Sequence, residues 1–357
     1  MRNALPVAVP SLLVFALLTG QASAQQARDW LERMNRAVED LNYTGTFVHV
    51  LDGTPETLHI VHRYADGQSG ERILSLDGAR REIVRQGARV QGIFPDRRLV
   101  LLETRRDVSP LAAALPSDTS ELTPHYEIEL GGSERVADRA VQVLEIKPRD
   151  EFRYGYVLWL DQETAMPLKS HLVDEQGKVV EEILFTDIEF PADIPASALE
   201  PTIDTTGFTT QRAADAKPLD ASIPWRAAVL PGGFKLSIAT EGRIAGSDTP
   251  VGHLVYSDGL ATVSVFIEDP ATEAEVGEGF SAMGSTNVYA LTLSSGQKAT
   301  AIGALSLVPN RSMACGTPCS NSRKSSCSRP STGRPWRSVT EAATSTSGRR
   351  RARASSM

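Results

Sequence analysis

The sequence predicts an α+β protein built mainly of antiparallel β-structure. Three observations lead there. Short runs rich in β-branched and aromatic residues recur from Tyr43 onward, Asp-Gly pairs separate several of them, and only one long segment has helical periodicity. Asp-Gly suits the positive φ angles of tight hairpin turns. Loops this short join antiparallel neighbours, because a parallel crossover needs a dozen or more residues.

The helical segment is 29–41. Trp30, Leu31, Met34, Val38 and Leu41 fall on one stripe, and Asp29 with Glu32 resembles a capping box. Strands are then expected at Tyr43–Leu51, Thr57–Tyr64, Glu71–Leu76, Arg80–Arg85, Val90–Phe94 and Leu99–Glu103. The turns between them carry Asp52-Gly53, Asp66-Gly67, Asp77-Gly78, Gln86-Gly87 and Pro95-Asp96. Ser109-Pro110 opens a short helix through Leu115. Strands resume at Tyr126–Leu130, Val141–Ile146, Phe152–Leu160, Leu168–Val173 and Lys178–Ile188. Some eleven strands in one antiparallel run form a sheet large enough to curl, and a helix over its concave side can enclose an apolar cavity.

Prolines at 191, 195, 201, 218 and 224 mark 190–224 as a linker. A second, smaller α+β domain is expected over 225–303. Its strands are Phe234–Ala239, Val251–Tyr256, Ala261–Glu268, Val288–Leu293 and Ala299–Ile302, with a short helix around Glu273–Met283. The first 24 residues read as a signal peptide. Arg2 precedes an apolar run from Leu12 to Leu18, and Ala22-Ser23-Ala24 is a small-x-small cleavage site. The run is far below the ~20 residues that span a bilayer. Mature protein starting near Gln25 would be exported, and the first domain would cover 25–189.

Charge divides the chain. Residues 310–357 carry ten basic side chains and one acid, Glu341, whereas the first 309 residues carry 27 basic and 43 acidic ones. The acidic body is unsuited to nucleic acid. The Ser/Arg-rich stretch 304–357 lacks apolar periodicity and reads as disordered, as a basic arm, or as a frameshifted translation. All three cysteines, Cys315, Cys319 and Cys327, lie there, so the body has no disulfide.

No catalytic constellation is present. His59 and His62 form H-x-x-H on a strand, where an odd separation places them on opposite faces. Glu127 and Glu129 share a strand face, the pattern of a solvated face more than of a catalytic pair. There is no P-loop, no G-x-G-x-x-G and no nucleophile elbow. The reading is a protein that is not an enzyme and holds no cofactor or metal. What stands out is apolar content in strands. Tyr154, Tyr156, Leu158 and Leu160 alternate on one strand face with Val157 and Trp159 on the other, and Phe47 and Leu51 alternate similarly. Trp30, Met34, Phe47, Tyr154, Tyr156, Leu158 and Trp159 are the candidate lining of an apolar ligand cavity; simple core uses the same residue types.

Several stretches together resemble the RseB/MucB family of periplasmic sigma-E regulatory proteins. They are Tyr43-Thr44-Gly45-Thr46-Phe47-Val48, Glu71 through Glu82, and Arg153-Tyr154-Gly155-Tyr156-Val157-Leu158-Trp159-Leu160-Asp161 with Pro167-Leu168-Lys169-Ser170. Leu230-Pro231-Gly232-Gly233-Phe234 and Tyr256-Ser257-Asp258-Gly259-Leu260-Ala261 extend the likeness into the second domain. The resemblance implies a first domain like the lipoprotein carriers LolA and LolB, a half-open β-barrel with helices over an apolar cavity. It implies a partner, the periplasmic segment of a membrane-spanning anti-sigma factor, which the protein shields from proteolysis. Lipopolysaccharide or lipoprotein acyl chains would displace it, and a homo-oligomer is compatible with this reading. The alternative is a periplasmic lipid or lipoprotein carrier. The departure lies after Gly303, where the family continues with an apolar strand and a closing helix and this chain enters its Ser/Arg stretch.

Overall fold

The computed structural model describes residues 12–104, 119–212, 217–219, 225–227, 229–242, 249–269 and 278–305. The helix expected at Ser109–Leu115 and the stretch beyond 305 lie outside these. The chain divides into two compact units, Met1–Asp150 with Tyr154–Gln211, and Glu151–Arg153 with Arg212–Met357.

The first unit begins with helix α1, Leu12–Asp40. It starts well before the expected residue 29 and runs through the proposed cleavage site, since Ala and Gln around 21–28 favour helix and no proline interrupts it. Among the described residues no helix is long and apolar enough to cross a membrane. Six strands follow: β1 Tyr43–Leu51, β2 Thr54–Ala65, β3 Gln68–Ser75, β4 Glu82–Gln86, β5 Arg89–Phe94 and β6 Leu99–Thr104. Five more are β7 Tyr126–Val136, β8 Arg139–Pro148, β9 Gly155–Asp161, β10 Pro167–Val173 and β11 Val179–Glu189. These are the eleven expected strands, with ends shifted by a few residues. The largest shift is in β7, which runs on from Leu130 to Val136, and β9 starts at Gly155, leaving Phe152 and Tyr154 outside it.

The turns follow the expected chemistry. Both central residues of Asp52-Gly53 and Asp66-Gly67 have positive φ, at 54° and 73°, and 53° and 73°. Ala137-Asp138 between β7 and β8 adopts the same geometry, at 47° and 62°, without a glycine. Gly45 is required for a different reason. A Cβ there would sit 2.5 Å from the Asp187 carbonyl, beside the bulge where β1 meets β11.

Strand order is β12-β6-β5-β4-β3-β2-β1-β11-β10-β9-β8-β7, where β12 is Thr209–Arg212. Two antiparallel meanders, β1–β6 and β7–β11, are thus joined by one pairing, β1 with β11. Register places Tyr43, Phe47, Leu58, Ile60, His62, Phe185, Leu158 and Leu144 on one face, here the inner face. Helix α1 packs on that side of β7, where Tyr126 and Ile128 are buried and Glu127 and Glu129 are exposed.

The expected linker 190–224 is not all linker. Residues 190–208 strap the outer face of β2–β6. Ile194 and Leu199 pack on Val61, and Ile203 packs on Ile93 and Val100. The prolines shape this strap without freeing it from the sheet.

The second unit carries a seven-stranded antiparallel sheet in the order β13-β14-β15-β16-β19-β18-β17. The strands are β13 Lys217–Pro218, β14 Lys235–Gly242, β15 Val251–Ser257, β16 Thr262–Glu268, β17 Gly279–Met283, β18 Thr286–Thr292 and β19 Lys298–Gly303. The expected helix at Glu273–Met283 is corrected: 279–283 is a strand paired with β18, and 273–277 lies outside the described residues. The described part of this unit is therefore all β rather than α+β. Its core is one-sided, built on Phe234, Leu254, Tyr256, Val263, Val265 and Ile267.

Replacing Ala137 by Gly is expected to stabilise the first unit by about 1 kcal/mol, since it relieves a left-handed non-glycine residue. Gly45→Ala is expected to destabilise it by more than that. Urea unfolding midpoints of the two variants check both signs.

Candidate functional site

The inner face is apolar across most of its width. Phe47 tilts against Phe185 at 5.4 Å between ring centroids, and Ile60, Leu144, Ile146 and Leu160 are fully buried. From α1, the stripe Ala27, Leu31, Met34 and Val38 is buried, at the i, i+4, i+7, i+11 spacing of one helix face. Thr119, in a short 3₁₀ turn touching the helix, donates to Glu32 at 3.3 Å.

Of the seven candidate lining residues, Phe47, Tyr156 and Leu158 share the inner face by strand register. Met34 belongs to the buried stripe of α1. Trp30 flanks that stripe, is half-buried, and lies under the Arg33 guanidinium at 4.3 Å. Tyr154 is buried but precedes β9, so strand alternation does not assign it to the row.

Trp159 faces the other way. Its indole N–H donates to Glu134 at 2.9 Å, and Lys169 Nζ lies 4.5 Å from its ring centroid. His171 meets the ring edge-on at 4.8 Å and contacts Glu182 at 2.5 Å. Burial lowers the His171 pKa and the neighbouring Lys169 adds to that, while Glu182 opposes both. This outer cluster is closed on itself. His59 and His62 are separated as the sequence requires: His59 reaches Thr44 on the outer face, and His62 stacks on Tyr43 on the inner one.

Two buried carboxylates, unforeseen in the sequence, each organise a part of their own unit. Glu82, at 0% exposure, accepts from the amides of Thr202 and Ile203 at 2.9–3.0 Å and from the Thr202 hydroxyl at 3.0 Å. Arg72 pairs with it at 3.2 Å and also donates to the Ala198 carbonyl. Burial alone would raise the Glu82 pKa. The two amides, the hydroxyl and Arg72 outweigh it and hold the carboxyl below its ordinary value. The strap is clipped to the sheet through this residue.

In the second unit, Arg153 and Asp258 are both fully buried and pair at 2.5 Å. Arg153 also donates to the Gly232 carbonyl and lies over the Phe234 ring at 5.1 Å. Asp258 accepts from the amides of Leu260 and Ala261 as well. Three of the motif stretches therefore meet at one ion pair. Asp161, at the far end of the stretch that begins with Arg153, pairs with Arg139 and accepts from the Glu163 and Thr164 amides, holding the turn into β10. Sequence separation of more than 100 residues hid the Arg153–Asp258 pairing. The residue types in the motifs were the only signal.

These features define a two-unit, antiparallel β protein whose distinguishing site is a large buried apolar sheet face under a helix. The MucB/RseB N-terminal domain family matches residues 26–203, and the MucB/RseB C-terminal domain family matches 220–314. The chain belongs to the MucB/RseB family. It is 37% identical over 302 residues to the sigma factor AlgU regulatory protein MucB of Pseudomonas aeruginosa, covering 83% of this chain and 92% of that protein. It is 29% identical over 258 residues to the sigma-E factor regulatory protein RseB of Escherichia coli, covering 70% and 78%. A solved Pseudomonas aeruginosa MucA/MucB complex contains a chain similar to it, with a TM-score of 0.61 and 34% identity over 78% of this chain and 94% of that one.

Glu82→Gln is expected to lower stability at pH 7 by about 1–3 kcal/mol, because it weakens charge-assisted hydrogen bonds. A depressed carboxyl pKa stabilises the fold above the group's unfolded value, and that contribution is lost as pH falls through the folded value. The gap in urea midpoint between wild type and Glu82→Gln should therefore be full above the group's ordinary value and narrow as pH falls below it. Arg153→Met is expected to cost about 3–5 kcal/mol, since it strands a buried carboxylate. Replacing Asp258 by Asn in the same chain should recover part of that loss, as read by the second unit's unfolding transition.

Proposed function

We propose that this chain is a periplasmic negative regulator of an envelope-stress sigma factor. It binds the periplasmic segment of a membrane-spanning anti-sigma factor and shields that segment from proteolysis. The observation carrying this reading is the likeness, in both units and over 78% of the chain, to MucB solved in complex with the periplasmic part of MucA. The segment Arg2–Ala24 supplies the export signal this location needs, with cleavage near Ala24.

Lipopolysaccharide or lipoprotein acyl chains act as the release signal. In this reading the first unit is a half-open barrel whose inner face, with Met34, Phe47, Tyr156 and Leu158, receives the chain. Release requires the acyl chain to bind the free protein better than the complex, or no equilibrium moves. Driving a complex from 99:1 to 1:99 needs about 5.5 kcal/mol of differential affinity. A carrier of lipid or lipoprotein is the second reading, favoured by the same apolar face. The second unit speaks for the regulator, since carriage needs only the first.

The test is protease cleavage of the anti-sigma segment with and without the chain from Gln25 onward. Slowed cleavage that returns when lipopolysaccharide is added is the expected result. Unimpaired cleavage at saturating protein would overturn the regulatory reading, and acyl-chain binding in that case would favour the carrier.

A further inference from the structure

Among the described residues, two buried side-chain polar atoms have no hydrogen-bond partner: Tyr43 Oη and Glu71 Oε2. They come from the same place. Tyr43 is opposite His62, His62 is opposite Glu71, and Glu71 is opposite Arg85, so the four form one row across β1–β4 on the inner face. Tyr43 is fully buried and Glu71 is 2% exposed.

The other members of the row are engaged. The His62 ring stacks on Tyr43 at 4.7 Å with 10° between planes, and its Nδ1 meets the Leu41 carbonyl at 2.8 Å. Arg85 Nε donates to Glu71 Oε1 at 3.0 Å, which leaves Oε2 open. What remains is one phenol hydroxyl and one carboxylate oxygen, both removed from solvent. Folded proteins rarely leave such atoms empty. The complementary guest accepts from the phenol and donates to the carboxylate, and one hydroxyl oxygen does both. A charged guest is disfavoured because Arg85 already compensates Glu71. Burial, reinforced by the Glu71 charge, pushes the Tyr43 phenol far above its ordinary pKa, so it keeps the proton it would donate.

We propose that Tyr43 and Glu71 form a buried receptor for a single hydroxyl group on the inner face. Tyr43 Oη–H donates to the guest oxygen, and the guest O–H donates to Glu71 Oε2. Two sources share this chemistry: an internal water, or the hydroxyl of an amphiphile whose chain lies along the apolar face. The second source rests on the acyl-chain reading above; the first does not.

The experiment uses the chain from Gln25 onward, stripped of lipid, as wild type and as Tyr43→Phe, which removes one atom. Urea midpoints are measured on both. Binding of tetradecanoate and of its 2-, 3- and 14-hydroxy forms is then measured on both. A lower midpoint for Tyr43→Phe identifies the resident hydroxyl as water. A preference of about tenfold for one hydroxylated chain, present in wild type and lost in Tyr43→Phe, identifies it as the ligand's. A midpoint unchanged or raised in Tyr43→Phe, together with the same chain ranking in both proteins, overturns the proposal. Should no chain bind either protein, the acyl-chain reading fails while the midpoints still decide whether the hydroxyl receptor exists.

Discussion

The pairing of β1 with β11 is the interaction on which the first unit depends. It runs from Thr44 opposite Glu189 to Leu51 opposite Glu181, joining residues more than 125 apart in the chain. Every other neighbour within the two meanders is sequential, so each meander can form locally from its own turns. Only β1–β11 makes one sheet of them and brings Phe47 against Phe185. Loop closure over such a span costs entropy that the apolar contacts across the seam must offset. At Gly45 the Asp187 carbonyl leaves no room for a Cβ, and the bulge at Thr46–Phe47 shifts β11 by one residue, so that Ile188 and Phe185 both lie opposite inner-face residues of β1.

Two buried carboxylates solve similar problems elsewhere. Glu82 gathers two backbone amides and a hydroxyl from the strap, which has little regular structure of its own to satisfy its backbone. Asp258 does the same for its turn while neutralising Arg153. In each case a buried charge is tolerable because every partner is in place. Such groups specify one arrangement of the chain, since an alternative arrangement would strand the charge.

Much of this was legible in the sequence because it is local. Alternation and Asp-Gly chemistry placed the eleven strands, and helical spacing found the buried stripe of α1. What escaped was either non-local or contrary to preference. The Ala137-Asp138 turn uses residues that pay for left-handed geometry, so no turn signal marked it. The strap looked like linker because its buried residues, Ile194, Leu199 and Ile203, are spaced irregularly. Tyr154 looked like a strand residue because its neighbours to Leu160 alternate well, yet Glu151–Arg153 belong to the second unit. Trp159 entered the candidate cavity through its size, although its neighbour Leu158 already occupied the inner face. Tyr43 and Glu71 each open a motif stretch, but nothing in the sequence linked them; their shared property is a missing partner.

The regulatory account depends on the inner face of the first unit being where an acyl signal is read. Hydrogen–deuterium exchange on the full chain, with and without a tetradecanoyl amphiphile below its aggregation point, tests this most directly. The account predicts slowed exchange in the α1 stripe around Leu31–Val38 and in β1, β2 and β9. Slowing confined to the second unit, or none at saturating amphiphile, would contradict it.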